Sequence, residues 1–350
     1  MRKWRVALLG LGHWYSAYGL ARAMPEYPHA ELVAAAWHDR AQLDAFTTAF
    51  GIAGYDDYGE LLAREQIDIV QIAAPVSEIH DLTVLAAEQG KHIVLGKPMA
   101  MTMEEADRMV GAVEAAGVMC LPFQGIGRLR GADLKRRVSH GEIGELVLVH
   151  QTSRWSIAED WYRSGRPGWF ADPRHVPGGA LIDEGIYWID YFSWLIDRDP
   201  IRVEARTANL VHTDIAVEDW GMATFTFPNG IIATLEASWT ITAPRKTGPS
   251  PKQNSVVRLE LIGTRGEIID QWFRVPGRAV LAGGANDWTF ERASDEPFAA
   301  PSPFPLSHLI HCLETNTAPV ATIHDARKSL RVALAAYAAA RESRTVDLNW

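Results

Sequence analysis

A strict alternation of apolar strands with helices over residues 1–123 is the feature that most constrains the fold. Apolar runs typical of buried strands lie at Arg5–Leu9, Leu32–Ala36, Ile67–Ile72, Ile93–Leu95 and Val118–Phe123. Helical segments between them run from about Ser16 to Met24 and from about Thr102 to Ala116, and a further helix contains His80 and ends at Glu88. Strands separated by helices form a parallel sheet with helices on both faces. Residues 1–123 are therefore predicted to form a doubly wound α/β domain.

A glycine turn joins the first strand to the first helix. Gly10-Leu11-Gly12 follows the strand directly, and this placement is typical of dinucleotide binding. The first glycine permits the tight turn, and the second lets the backbone approach a pyrophosphate at the helix N-terminus. Tyr15 replaces the third glycine of the usual pattern, so the match is partial. The residues assigned to this cofactor site are Gly10, Gly12, His13 and Trp14.

The end of the second strand leaves the choice of cofactor open. Trp37 stands where this fold presents an acid to the ribose hydroxyls, and Asp39 comes two residues later. In one interpretation Trp37 stacks on the adenine, while His38 and Arg40 receive a 2′-phosphate. In the other, Asp39 bends back to the ribose and Arg40 is solvated on the next helix. The predicted cofactor is accordingly NAD or NADP.

A lysine follows the fourth apolar run, in Val94–Met99. Ligands bind outside the carboxyl ends of parallel strands, so Lys97 is placed at the mouth of such a crevice. Pro98 biases Lys97 away from the helical region. A surface lysine at a strand end is the alternative. Ala74-Pro75 follows the third strand, and His80 on the next helix is interpreted either as a surface or capping residue or as a ligand contact.

The alternation stops after Phe123-Gln124, and a second domain is predicted over residues 124–350. Strands without intervening helices are expected at Arg202–Asn209, Asp219–Phe227, Ile231–Thr240, Ser255–Ile262 and Gly266–Ile269. They predict an α/β domain with a large, mostly antiparallel open sheet, whose uncovered face suits a subunit interface. Helices at 305–316 and 325–344 close the chain, a mobile loop is expected at 241–255 and a connector at 294–305.

A Gly-Gly turn begins the helix that carries the second group of candidate residues. Asp183 and Tyr187 are four residues apart, hence on one helix face, where a carboxylate can position a phenol. The alternative is that Tyr187 fills the core and Asp183 is a first-turn carboxylate favoured by the helix dipole. Spacing alone favours this structural interpretation.

Composition excludes several classes of protein. A net charge of −9 argues against nucleic acid or an anionic membrane surface as partner, and no apolar stretch is long enough to span a bilayer. Two cysteines, Cys120 and Cys312, are too few for a disulfide framework and indicate a reducing, cytoplasmic setting. His308-x-x-His311 has metal-ligand spacing but no obvious third ligand except Cys312, so no metal is predicted.

Together these motifs resemble the Gfo/Idh/MocA oxidoreductase family over nearly the whole chain. The resemblance is carried, in order, by Gly10-x-Gly12, Ala74-Pro75 with His80, Gly96-Lys97-Pro98, Gly141–Glu145, Gly178–Gly185 and Arg344–Leu348. It implies an N-terminal Rossmann domain and a C-terminal α/β domain whose open sheet often mediates oligomers, here a homodimer or homotetramer. It also implies hydride transfer between a pyridine nucleotide and a sugar, polyol or related carbonyl. Two departures are Gly96 in place of the usual glutamate and Tyr187 in place of a frequent histidine.

The resemblance assigns roles to the candidate residues. Tyr187 is expected to relay the hydroxyl proton, Lys97 to hydrogen-bond the same oxygen, and Asp183 to orient the pair. Further cofactor contacts are expected from Ala74, Pro75, His80, Lys97, Pro98 and Gln124. Aromatic faces suit sugar rings, so the residues before the Gly-Gly turn are candidate substrate contacts besides the catalytic residues: Trp155, Trp161, Trp169 and His175, with Arg154 and Arg174 as hydroxyl or carboxylate clamps. A structural role is the alternative for each of them. The alternatives are a redox-neutral enzyme that cleaves glycosides through transient oxidation, and a cofactor-binding sensor without catalysis.

Overall fold

The computed structural model describes residues 3–156, 168–241, 255–272, 277–283, 285, 287–291 and 305–350. The loop predicted at 241–255 and the connector predicted at 294–305 lie outside these residues, except for residues 241, 255 and 305. Trp161 also lies outside them. All structural statements below concern the described residues.

The chain folds into two compact units, and each draws on more than one stretch of sequence. The described residues of 1–126, 174–176 and 298–330 form the first unit, and those of 127–173, 177–297 and 331–350 form the second. The sequence pattern placed a single division after residue 123. The described residues before 331 join the first unit through side-chain contacts, such as the ion pair between Arg327 and Asp107 and that between His324 and Glu114.

The first unit contains a six-stranded sheet in the order β3-β2-β1-β4-β5-β6. Its strands are β1 (Trp4–Leu9), β2 (Ala30–Ala36), β3 (Ala53–Tyr55), β4 (Ile69–Ile72), β5 (His92–Leu95) and β6 (Cys120–Pro122). Every neighbouring pair is parallel, so the predicted doubly wound parallel sheet is confirmed. The pattern missed β3, because this short strand buries none of its residues fully and carries no apolar run. All four residues of β4 are buried, which explains its continuous apolar sequence.

Where helix ends were predicted, the described helices agree with them to within about two residues; the helices at Tyr58–Arg64 and Ile126–Arg130 were not predicted. In chain order the described helices are α1 (Trp14–Ala23), α2 (Arg40–Phe50), α3 (Tyr58–Arg64), α4 (Val76–Glu88), α5 (Met103–Ala116), α6 (Ile126–Arg130), α7 (Ala132–Ser139), α8 (Ala180–Ile196), α9 (Leu306–Thr315) and α10 (Ile323–Glu342). Short 3-10 turns lie at Met24–Glu26, Phe123–Gly125 and Trp169–Ala171. No helix within the described ranges has both the length and the apolar character needed to cross a membrane.

Local capping residues set several helix ends in the first unit. Asp39 and Asp57 accept hydrogen bonds from the backbone N–H three residues later and so begin α2 and α3. Thr102 does the same for α5. Gly51 ends α2 and Gly117 ends α5 in the left-handed conformation, which glycine adopts without a Cβ clash. The helix boundaries of this unit therefore follow from local sequence.

The second unit contains a nine-stranded sheet in the order β14-β13-β12-β11-β7-β10-β9-β8-β15. Its strands are β7 (Leu146–Arg154), β8 (Arg202–Ala208), β9 (Trp220–Thr226), β10 (Ile232–Ser238), β11 (Val256–Gly263), β12 (Glu267–Trp272), β13 (Gly277–Leu281), β14 (Thr289–Glu291) and β15 (Val346–Asp347). Among the pairs, β7 with β10 is parallel and the others are antiparallel, so the prediction of a mostly antiparallel sheet is confirmed.

Helix α8 packs closely on one face of this second sheet. A Cβ at Gly221 would lie 2.7 Å from the Cβ of Leu181, and a Cβ at Gly185 would lie 2.9 Å from Leu235 Cδ2. Glycine at these two positions therefore lets helix and strand approach each other. Residues 233, 235 and 237 of β10 are buried on this face, while residues 232, 234 and 236 alternate to the other.

Candidate active site

The glycine turn of the first unit is closely packed against the residues that follow β4. Gly10 has a φ of +92°, and a Cβ there would lie 2.7 Å from the Cβ of Ala74. A Cβ at Gly12 would lie 2.9 Å from Pro75 Cδ and 3.0 Å from Trp37 Cη2. The structure thus brings five of the predicted cofactor residues together, and both glycines are required by close approach. Such a turn at the start of a helix fits a dinucleotide pyrophosphate.

The buried side chain of Trp37 supports the glycine turn. Its side chain is only 5% exposed, and its Nε1–H donates to Gln42 Oε1 at 2.9 Å. Gln42 in turn donates from Nε2 to the carbonyl oxygen of Leu11 at 3.2 Å. The ring of His38 lies 3.8 Å from that of Trp37, centroid to centroid, and is exposed. One interpretation of the sequence made this tryptophan an adenine-stacking residue; the contacts in the structure are those that support the glycine turn.

The two charged residues at the end of β2 both have intramolecular partners. Asp39 accepts from the backbone N–H of Gln42 at 3.1 Å as the N-cap of α2. Arg40 forms an ion pair with Asp44 at 3.0 Å, one turn along the same exposed helix. These contacts agree with helix capping for Asp39 and with the solvated position for Arg40.

Lys97 is buried, with 4% exposure, so the alternative of a surface lysine is wrong. Its charge acts on His13, which lies in the glycine turn. Burial first, and then the Lys97 ammonium, lower the pKa of His13 well below its usual value, so the imidazole is neutral at physiological pH. His13 Nδ1 lies 2.7 Å from Ser16 Oγ. The structure therefore places the predicted catalytic lysine and a predicted cofactor residue in one electrostatic environment.

The glycine before the lysine has a packing reason. A Cβ at Gly96 would lie 2.9 Å from Ile79 Cδ1 and 3.2 Å from the carbonyl oxygen of Ile72. The space that a glutamate side chain would enter here is filled by Ile79 from α4. The glycine that replaces the usual glutamate at position 96 therefore fits the close packing of Ile79 and Ile72 around it.

Two predicted cofactor residues carry buried polar atoms with no hydrogen-bond partner among the described residues. They are Nε2 of His80 and both amide atoms of Gln124, a residue only 1% exposed. His80 Nδ1 lies 2.8 Å from Asp81 Oδ1, which fixes the ring. Buried polar atoms are nearly always hydrogen-bonded, so these atoms are available to a ligand. Together with the glycine turn, they fit a bound pyridine nucleotide.

In the second unit, Asp183 and Tyr187 lie on the first turns of α8. Asp183 is 9% exposed, and its Oδ2 accepts from Trp239 Nε1 at 3.2 Å. Tyr187 is half-buried. The first turn is held by Glu218, whose carboxylate accepts from the N–H groups of Gly179 and Leu181, both at 2.9 Å. Sequence reasoning missed Glu218 and Trp239, because nothing in the local pattern marks them.

Helix α6 supplies two arginines next to α8 that were also missed. Arg128 forms a bidentate ion pair with Asp190, at 2.8 Å and 2.7 Å, and both side chains are buried. Burial lowers the pKa of Arg130, while Tyr187 raises it, so these two groups interact electrostatically.

The remaining predicted substrate residues are divided between the units. Arg154 pairs with Glu236 at 3.0 Å and 2.7 Å, and Trp155 Nε1 donates to Ser153 Oγ at 2.8 Å. Trp169 stacks on Phe170 with centroids 3.8 Å apart. These residues belong to the second unit, whereas His175 belongs to the first, where its Nδ1 lies 2.8 Å from Ser77 Oγ.

His308 in α9 is engaged within the protein. Its Nε2 accepts from the backbone N–H of Val320 at 2.9 Å and lies 3.5 Å from Cys312 Sγ. One of the two ring nitrogens of His308 is therefore already hydrogen-bonded. The two cysteines are free and buried.

Comparison with known families identifies the class of protein. Residues 4–123 match the model of the oxidoreductase family with an NAD-binding Rossmann fold, and residues 132–269 match the GFO/IDH/MocA C-terminal domain. The chain belongs to the Gfo/Idh/MocA family, as the sequence motifs indicated. It is an NAD(P)-dependent oxidoreductase.

Similar proteins match over almost their whole length. Scyllo-inositol 2-dehydrogenase (NAD(+)) of Bacillus subtilis (strain 168) is 27% identical, with 99% of this chain and 96% of the relative covered. D-apiose dehydrogenase of Paraburkholderia graminis is 29% identical, with 100% and 91% covered. Among solved structures, aldose-aldose oxidoreductase from Caulobacter crescentus complexed with glycerol has a TM-score of 0.81 at 25% identity, and the match covers 99% of this chain and 100% of that one.

Proposed function

We propose that this enzyme transfers a hydride between a pyridine nucleotide and a secondary alcohol or carbonyl group of a sugar, polyol or related compound. The observation that carries the proposal is the buried Lys97 beside the neutral His13 at the glycine turn. Burying an ammonium is costly, and such groups concentrate at functional sites. The inositol and apiose dehydrogenases named above support the substrate class.

Within this proposal, the first unit holds the nucleotide. Gly10 and Gly12 leave room for the pyrophosphate, and the cofactor supplies hydrogen-bond partners to His80 Nε2 and to the amide nitrogen and oxygen of Gln124. The other proposed cofactor contacts are His13, Trp14, Trp37, His38, Arg40, Ala74, Pro75, Lys97 and Pro98. A bound nicotinamide supplies the acceptor or donor of the hydride.

Tyr187 is the proposed acid–base residue. A phenol can donate or accept the substrate hydroxyl proton, and Tyr187 interacts electrostatically with the guanidinium of Arg130. Lys97 donates a hydrogen bond to the reacting oxygen and stabilises its developing negative charge. Asp183 orients the phenol or binds an adjacent hydroxyl. Arg154, Trp155, Trp169 and His175 remain proposed substrate contacts.

Thermal unfolding with NAD⁺, NADP⁺ or neither tests the cofactor site. A ligand at about 100 times its Kd adds about 2.7 kcal/mol to the free energy of unfolding, which is a measurable shift. The nucleotide that raises the midpoint is the cofactor and is then used with a panel of sugars and polyols. No shift with either nucleotide, in protein free of bound cofactor, would contradict the proposal.

Substitution of Lys97 tests the chemistry. Lys97→Ala is expected to lower kcat by about two orders of magnitude or more and to weaken cofactor binding far less, because the lysine acts chiefly on developing charge. Lys91→Ala, at the other end of the same strand, is the matched control and keeps full activity. An unchanged kcat in Lys97→Ala would refute the mechanism. Turnover without net consumption of cofactor would instead indicate the redox-neutral reaction.

The proposal also assigns a role to each domain: residues 1–123 bind the cofactor, and residues 124–350 bind substrate and form the oligomer.

The face of the second sheet that points away from α8 is the proposed subunit interface. It presents Met222 at 43% and Ile232 at 38% exposure. A homodimer or homotetramer would cover it. Ile232→Lys is expected to shift sedimentation velocity toward the monomer, whereas an exposed leucine elsewhere, Leu210→Lys, should not. The free, buried cysteines support a cytoplasmic location.

A further inference from the structure

The first turn of α8 has no cap of its own. A helix N-terminus leaves backbone N–H groups without intrahelical partners, and here the N-cap residue is Gly179, which has no side chain. Glu218, in the segment before β9, takes over this function. Its backbone oxygen accepts from Ala180 N at 3.0 Å, and its carboxylate accepts from Gly179 N and Leu181 N at 2.9 Å each. A buried carboxylate at this position also gains from the helix dipole.

Tyr337 completes the cap from α10. Its hydroxyl donates to Glu218 Oε1 at 2.6 Å and accepts from the N–H of Ile182 at 3.1 Å. A Cβ at Gly178 would lie 2.2 Å from the tyrosine oxygen, so a glycine is required for the ring to lie there. Burial, and then the Glu218 carboxylate, raise the pKa of Tyr337 well above its usual value. The phenol therefore remains a neutral donor to the carboxylate.

A second set of contacts fixes the direction of Asp183. Trp239 donates to Asp183 from Nε1, and its own backbone N–H donates to the carbonyl oxygen of Asp219 at 2.7 Å. The carboxylate of Asp219 is fully buried and accepts from the N–H groups of residues 210, 211 and 212. His212 Nε2 lies 3.2 Å from the carbonyl oxygen of Trp239. The adjacent residues 218 and 219 thus hold the helix turn and the tryptophan that contacts its aspartate.

We infer that Glu218 and Tyr337 are positioning residues of the reaction, which fix the first turn of α8 and thereby the directions of Asp183 and Tyr187. This inference rests on the function proposed for those two residues. The cap bonds four consecutive backbone N–H groups, from 179 to 182, immediately before Asp183. Displacement of a reacting group by about 1 Å can cost about 100-fold in rate, so a turn held this closely serves catalysis as well as folding.

The test compares two tyrosine variants that each lose one hydroxyl bonded to a glutamate. Tyr337→Phe removes the bonds to Glu218 and Ile182 and keeps the ring. The matched control is Tyr55→Phe in the first unit, where the hydroxyl donates to Glu65 at 2.9 Å. For each variant we would measure kcat and KM at saturating cofactor, the cofactor Kd, and the midpoint temperature of unfolding. The activity and binding assays are run at a temperature well below that midpoint. Tyr337→Phe is expected to lower kcat about tenfold or more with an unchanged cofactor Kd, and Tyr55→Phe to leave kcat unchanged.

Two results would overturn the inference. One is a Tyr337→Phe enzyme that is less stable but has wild-type kcat, since its hydroxyl would then serve folding alone. The other is an equal loss of kcat in Tyr55→Phe. Glu218→Gln, which keeps the shape and part of the hydrogen bonding, provides a second variant, and its kcat is expected to fall as well. If Lys97→Ala has no effect on turnover, the proposed function is refuted. If Lys97→Ala loses activity while the Tyr337 and Glu218 variants remain fully active, the proposed function stands and the positioning role is refuted.

Discussion

The ion pair between Arg128 and Asp190 allows a quantitative prediction. The two side chains are 9% and 1% exposed and are joined by two hydrogen bonds at 2.8 Å and 2.7 Å. Asp190→Asn preserves the shape of the side chain but removes its charge, so a buried guanidinium loses its counter-charge. Breaking a buried pair in this way costs about 3–5 kcal/mol. At about 2–4 °C per kcal/mol, the midpoint of this unit should fall by roughly 6–20 °C.

The effect is measured by urea unfolding followed by far-UV circular dichroism. The free energy of unfolding is obtained by linear extrapolation from the transition in which α8 unfolds. Asp44→Asn is the control, because its ion pair with Arg40 is 58% and 64% exposed and should contribute less than about 1 kcal/mol. The double variant Arg128→Met with Asp190→Leu should recover most of the loss, since it leaves no buried charge. A loss below about 1 kcal/mol in Asp190→Asn would refute the reasoning.

Three further predictions concern the first unit. Gly12→Ala is expected to weaken nucleotide binding by at least about tenfold in equilibrium titration, because its Cβ would lie 2.9 Å from a proline ring. Burial and Lys97 lower the pKa of His13 below 6.5, so only the unfolded chain takes up this proton as the pH falls below about 6.5, and stability is lost in that direction. His13→Asn should therefore reduce the fall of the cofactor-free unfolding midpoint between about pH 7.5 and about pH 5.5; an identical fall in the variant would count against a buried neutral imidazole. Gly96→Glu should destabilise the protein by about 1–3 kcal/mol in denaturant unfolding, and Ile79→Ala in the same chain should relieve part of that loss. Additive losses in that pair would show that the isoleucine is not the obstacle.

The sequence predicted the parallel sheet and the glycine turn well, because their signals are local. Buried parallel strands read as apolar runs, and the turn at Gly10-Leu11-Gly12 needs its residue types within a few positions. The open second sheet was likewise predicted from strands that follow one another without helices. The strand Ala53–Tyr55 was not, because it is short and its residues are not fully buried.

The support of the site could not be predicted, because it depends on residues far apart in the chain. Glu218 and Tyr337 are separated by 119 positions, and Arg128 and Asp190 by 62. No periodicity connects such pairs, and each residue alone is an ordinary surface or core type. The burial of Lys97 was also beyond the local pattern, which is equally compatible with an exposed strand end.

The buried Trp37 has a consequence for redesign of the enzyme. In this fold an acid at the end of the second strand contacts the cofactor ribose. An acid at position 37 of this chain would remove the ring that packs near Gly12 and the donor that holds Gln42 against Leu11. A change of nucleotide preference at position 37 therefore has to be designed together with positions 12 and 42.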